Sequence, residues 1–198
     1  MTLTLLDWRR RIAAAYADAR AAGGPDERAW LRWLAVRDEL FATHPDSPID
    51  EPSTFTGLHY AAYDDGLYVE AAVIDADPVA IDVQTSDGVV PLRRIGVAQL
   101  PFGTLDVWWI ASYGGGVFVP LADATNGDAT YGGGRYLIDT IKGADLGGSP
   151  GRTLRLDFNY AYHPSCFYSA RWSCPLAPAG NRLVTRIDAG ELVGGRLS

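Results

Sequence analysis

Apolar residues recur at helical spacing over the first forty positions and then change period. Leu5, Trp8, Ile12, Ala15, Tyr16 and Ala19 fall on one face of a helix. Gly23-Gly24-Pro25 stops that helix, and Asp26 stands where it can cap the next. Trp30, Leu31, Leu34 and Phe41 form a second stripe, flanked by Arg28, Arg32, Arg37, Asp38 and Glu39. Both helices are expected to lay an aromatic face on the rest of the protein and to carry no chemistry. Prolines at 45, 48 and 52 force extended chain and end the helical part. Short β-favouring runs follow at Phe55 to Tyr60, Leu67 to Ile74, Val79 to Thr85, Val89 to Ile95, Leu105 to Ala111 and Val117 to Leu121. Asp64-Asp65-Gly66, Asp75-Ala76-Asp77-Pro78 and Ser86-Asp87-Gly88 are turn signals between them. Too few helical stretches alternate with these runs for a parallel sheet. The pattern predicts a mainly β (α+β) protein: an antiparallel β-sandwich or open barrel with an N-terminal two-helix arm. A single domain over 1–198 is expected, with the arm at 1–43 and the β body at 53–198.

The C-terminal third has a different texture. Eleven of the 22 glycines lie between Gly114 and Gly151, and polar residues are interleaved with turn residues from Asp123 onward. Asn126-Gly127 predicts a tight type I′ hairpin. Such a turn pairs Thr125 with Asp128 and Asp123 with Thr130, and puts all four on one face. That face is either a solvated hairpin surface or part of a site. From Leu154 to His163 the chain alternates. Leu154, Leu156, Phe158, Tyr160 and Tyr162 read as core. Arg155, Asp157, Asn159 and His163 read as a wet strand face or the wall of a cleft. Gly132-Gly133-Gly134-Arg135 lacks the Lys-Ser/Thr ending of a phosphate loop, so its glycines are expected to permit a tight backbone path. Arg135 is then free to pair with a ligand's carboxylate or with Asp123 or Asp157. The proline-rich Cys174-Pro175-Leu176-Ala177-Pro178 segment is expected to cover one side of this region.

Composition narrows the choice. A net charge of −7 and a pI near 4.8 lack the basic footprint of a nucleic-acid binder or of an anionic-membrane ligand. No apolar run is long enough for a membrane helix. The N-terminal residues do not read as a signal peptide, which makes the expected location cytoplasmic. Two cysteines cannot build a disulfide framework. His163 and Cys166, three apart, could form a Cys–His pair. With Cys174 they could supply three zinc ligands, although the spacing between the cysteines is not a usual zinc spacing. The alternatives are a buried thiol pair or a local disulfide. No other cofactor is expected.

Several of these segments together resemble a known family. They are Asp123-x-Thr125-x-Gly127-x-x-Thr130-Tyr131-Gly132-x-Gly134-Arg135-Tyr136-Leu137, Leu156-Asp157-Phe158-Asn159-x-Ala161-Tyr162-x-Pro164-x-Cys166, Cys174-Pro175-Leu176-x-Pro178, Asn181-Arg182-Leu183, Ala189-Gly190-Glu191 and His44-Pro45-x-Ser47-Pro48. The pattern resembles the bacterial and archaeal family catalogued as domain of unknown function 1684. The resemblance implies a single domain of about this length and no particular activity. Where such relatives commonly read Asn-Arg-Ala-Tyr-Asn-Pro, this chain has Asn159-Tyr160-Ala161-Tyr162-His163-Pro164. The departure argues against His163 as an obligatory base or metal ligand and gives Tyr160 a packing role.

The functional expectation is an enzyme acting on a small polar or anionic substrate by acid–base, hydrolase-like chemistry. Asp123 and Asp157 are the candidate acid and base, because carboxylates in unlike surroundings separate their pKa values. Cys166 is an additional candidate nucleophile. Thr125, Thr130, Tyr131, Arg135, Asn159, Asn181 and Arg182 are the candidate substrate-binding residues. Two alternatives stand beside it: a non-catalytic domain binding a small molecule or peptide, and a polar network that only locks loops.

Overall fold

The computed structural model describes residues 3–194. Met1, Thr2 and residues 195–198, part of the single-domain expectation, lie outside the described residues. The periodic N-terminal stretch folds as α1 (Leu3–Ala21) and α2 (Glu27–Thr43). The Asp26 carboxylate caps α2, accepting from the N–H groups of Arg28 and Ala29 at 2.8 and 3.0 Å. Two of the donors that a helix start leaves unpaired are thereby satisfied. The buried face of α2 comprises Ala29, Trp30, Trp33, Arg37, Leu40 and Phe41. It is turned slightly from the expected stripe, since Leu31 faces solvent. Tyr16 of α1 meets the Trp33 ring edge-on at 5.6 Å, and Trp33 lies 4.8 Å from the ring of Tyr160 in the β body. The arm and the β body thus share one aromatic core.

Seven strands follow among the described residues: β1 (Tyr68–Ile74), β2 (Ala80–Thr85), β3 (Gly88–Leu100), β4 (Gly103–Ile110), β5 (Gly116–Leu121), β6 (Arg135–Asp139) and β7 (Thr153–Asp157). Their order is β6-β5-β4-β3-β1-β7, with β2 beside β3, and every pairing is antiparallel. The long β3 is the pivot. Its first half pairs with β2 and its second with β1, while β4 runs along its other edge. The register shifts between Arg94 and Gly96. A Cβ on Gly96 would come within 2.8 Å of the Ile74 carbonyl, so only glycine permits this approach. Past β7 the chain returns to β6, where Tyr136 and Tyr162 exchange backbone hydrogen bonds of 2.8 and 3.1 Å. The sheet therefore curls into a half-barrel, the open-barrel form of the expectation. Alternation on β4 and β5 sorts the core. Trp108, Ile110 and Phe118 join the helical aromatics, while Leu105, Val107, Val119 and Leu121 pack with Leu183, Ile187 and Ala189.

Some local expectations fail for identifiable reasons. Phe55 to Tyr60 is no strand; only Tyr60 makes a bridge, to Glu191. β6 arises directly after the glycine tract, where no β-favouring run was expected. The alternation after Leu154 ends as a strand at Asp157, and a 3-10 turn takes over at Phe158–Tyr160. From Leu156 to His163 every residue is buried, so no wet face exists there. Asn126-Gly127 forms no type I′ hairpin: φ is positive at Gly127 alone, as in a type II turn.

Candidate functional site

The polar block condenses around Asp123 and Arg135, whose side chains have no exposed surface. Arg135 Nη2 donates to Asp123 Oδ2 at 2.6 Å and to the Ile187 carbonyl at 3.1 Å, and its Nη1 donates to the Ala189 carbonyl. The other carboxylate oxygen of Asp123 accepts from the Thr125 amide at 2.6 Å and the Thr125 hydroxyl at 2.5 Å. Thr125 and Thr130 hydroxyls lie 2.8 Å apart. Three of the four residues expected to share a face therefore do meet. Asp128 instead turns outward to Arg186. Gly134, at φ +90°, passes so close to Leu121 that a Cβ would sit 2.5 Å from its carbonyl oxygen. The glycine tract thus serves a tight path, with Ala177 of the 174–178 segment packed beside it.

Asp157 belongs to a separate group. Its Oδ1 accepts from the backbone and side-chain amides of Asn159 at 3.0 and 2.7 Å, and Oδ2 faces the Tyr63 hydroxyl at 3.4 Å. Burial raises its pKa to about 6 against the pull of these donors. Asn159 continues to the Asp64 amide and carbonyl. The adjoining hollow, beside Tyr68, Arg155 and Tyr160, holds about 10 Å³, room for one water. Asn181 sits elsewhere, buried beneath the sheet. Its amide donates to the carbonyls of Asp106 and Pro120 and accepts from Trp108 Nε1 at 2.7 Å. Arg182 is exposed. The hydrogen bonds of Asp123, Asp157 and Asn181 share no residue.

His163 links the block to a residue not singled out for a role. Its Nε2 accepts from the Tyr131 amide at 3.2 Å, so the hydrogen sits on Nδ1, 3.8 Å from Glu191 Oε1. Burial, with Arg135 and Arg37 nearby, depresses its pKa to about 3 and keeps the ring neutral. The two ring nitrogens thus face Tyr131 and Glu191, and no group of three metal-ligating side chains occurs among the described residues.

Glu191 is buried and collects donors from four parts of the chain. Oε2 accepts from Arg37 Nη2 at 3.1 Å, from the Tyr60 hydroxyl at 3.2 Å and from the His163 amide at 3.0 Å. Oε1 accepts from the Tyr168 hydroxyl. Burial raises its pKa, opposed by Arg37 and these hydrogen bonds. The rings of Trp33, Phe41 and Tyr162 surround the Arg37 guanidinium at 4.9 to 5.1 Å. Glu191 is also among the residues that line a cleft of about 700 Å³. One wall is the irregular run from Ile49 to His59; the other carries Phe167 and Tyr168 of α3 (Ser165–Tyr168) and Leu192. Arg135 holds the carbonyls of Ile187 and Ala189, four and two residues before Glu191. The Asp123–Arg135 pair therefore positions the strand of chain that delivers this carboxylate. A sequence signal for it existed: Arg37 falls seven residues after Trp30 on an apolar helix face, and a cation there requires a buried anion.

Comparison with proteins of curated function finds no match. A solved structure, the solution NMR structure of an uncharacterised protein from Haloarcula marismortui, is similar at 34% identity over 84% of this chain and 94% of that one, with a TM-score of 0.61. A family model described as a protein of unknown function, DUF1684, matches residues 53–192, from the cleft wall through Glu191. The chain belongs to the DUF1684 family.

Proposed function

We propose that the chain binds a small polar molecule in the Glu191 cleft and acts on it by acid–base, hydrolase-like chemistry. The observation carrying this reading is a buried carboxylate of raised pKa, hydrogen-bonded to a tyrosine hydroxyl, on a residue that lines the cleft. Perturbed titration inside a concavity is the physical mark of a group that exchanges protons with a ligand. Glu191 serves as the proton carrier, and the Tyr168 hydroxyl that donates to it orients the carboxylate. Asp123, Thr125, Thr130 and Arg135 act from behind, by fixing the backbone before Glu191. The cleft favours a neutral or cationic ligand over an anionic one. Asp50, Glu51 and Glu191 line it, and no lysine or arginine does so among the described residues.

A panel of small neutral and cationic esters and amides, assayed with wild type and Glu191→Gln, tests this. The variant is expected to lose about 10²-fold or more of any hydrolysis found. The wild-type rate should rise with pH through the raised Glu191 pKa. Turnover that survives Glu191→Gln unchanged would overturn the assignment. A second reading, binding without catalysis, is favoured by the four donors already satisfying the carboxylate. It predicts that Glu191→Gln weakens binding although wild type turns nothing over.

A further inference from the structure

The two cysteines are not part of the Glu191 hydrogen-bond network. Cys166 sits on α3 and Cys174 on the proline-rich segment that follows. Tyr136 anchors that segment by donating to the Pro175 carbonyl at 2.6 Å. Both thiols are free and half-buried, and they lie near enough to perturb each other's ionisation. The Tyr131 hydroxyl lies 3.9 Å from Cys166 Sγ. Two thiols on separately anchored segments, close to each other and reachable from solvent, are placed as an attacking and resolving pair.

We propose that Cys166 and Cys174 form a reversible oxidation site for small hydroperoxides. The Cys166 thiolate attacks the distal peroxide oxygen, the O–O bond breaks, and the departing alkoxide or hydroxide takes a proton. Cys166 is oxidised by two electrons to the sulfenic acid as the peroxide is reduced. The Cys174 sulfur then attacks Cys166 Sγ; the S–O bond breaks, and the hydroxyl leaves as water with the Cys174 proton. The products are one disulfide, one alcohol or water from the peroxide, and one further water.

The polarity of the pair follows from its surroundings. The neighbouring Cys174 thiol lowers the Cys166 pKa to about 6, with Tyr131 adding to the effect. The same proximity raises that of Cys174, so it stays a thiol while Cys166 is charged. Once Cys166 is a neutral sulfenic acid, that restraint is removed and Cys174 can ionise to resolve it. The titratable groups facing the pair are Tyr131 from the preceding loop, Tyr136 from β6 and Lys142 beyond it.

The reduced full chain, treated with one equivalent of hydrogen peroxide, should lose two hydrogens in intact mass and both titratable thiols, and dithiothreitol should restore them. Cys174→Ser should instead stop at a sulfenic acid that dimedone traps on Cys166, while Cys166→Ser stays unmodified at the same dose. Alkylation of wild-type Cys166 should show a midpoint near about 6 rather than the ordinary 9.0. Equal, independent oxidation of the two cysteines, disulfides only between chains, or alkylation with an ordinary midpoint would each overturn the proposal.

Discussion

Arg135 and Asp123 have their charges wholly enclosed, so removing either one strands the other without water or counter-charge. Arg135→Met or Asp123→Ala is expected to cost about 3–5 kcal/mol in denaturant unfolding. A loss below about 1 kcal/mol would mean that the pair contributes little to holding the loop. Asp157 makes a prediction of a different kind. Its folded pKa of about 6 lies above the ordinary 3.8. The folded state therefore binds the proton more tightly than the unfolded chain does. The stability contributed by this residue is fully present below the unfolded value and is lost as pH rises through about 6. Between about pH 4 and about pH 7, wild type should lose about 2–3 kcal/mol relative to Asp157→Asn. Equal pH slopes in the two proteins would contradict the burial argument. At this scale the sequence was partly legible: it put Asp123, Thr125, Thr130 and Arg135 together. It did not separate a residue that acts from one that positions, because both types are polar and both sit among turns.

The elements were legible where a single period governed burial. α1 and α2 have one wet face each, and Asp26 marks the start of α2 in plain chemistry. Asp26→Ala should cost about 1 kcal/mol in thermal or denaturant unfolding by losing the cap. Legibility failed where both faces of a segment are buried or where apolar residues line a cavity. Leu154 to His163 alternates in chemistry, but His163, Asn159 and Asp157 are buried with internal partners. Phe55 and Leu58 are apolar because they wall a cleft, and this mimics a strand. The turn before Glu191 depends on Gly190, at φ +75°, where a Cβ would lie 2.7 and 2.8 Å from the carbonyls of Ala161 and Phe158. Gly190→Ala should destabilise by more than about 1 kcal/mol and displace the carboxylate it precedes. A variant of wild-type stability would refute the close approach.

For the whole molecule, the half-barrel could be read from the runs and turns, but its central ion pair could not. Arg37 and Glu191 are 154 positions apart, joined only when the helical arm docks across the curled sheet. That pair joins the arm, the Tyr60 bridge, the His163 backbone and α3 at one carboxylate. The claim on which the functional reading rests is that the hollow above this carboxylate accepts a ligand. Amide-resolved NMR of the isotopically labelled chain, titrated with a library of small neutral and cationic polar fragments, tests it most directly. The account predicts binding shifts concentrated at Ile49 to His59, Phe167, Tyr168 and Glu191 to Gly194, and weakened in Glu191→Gln. Fragments that gather elsewhere, or none that touch these residues, would contradict it.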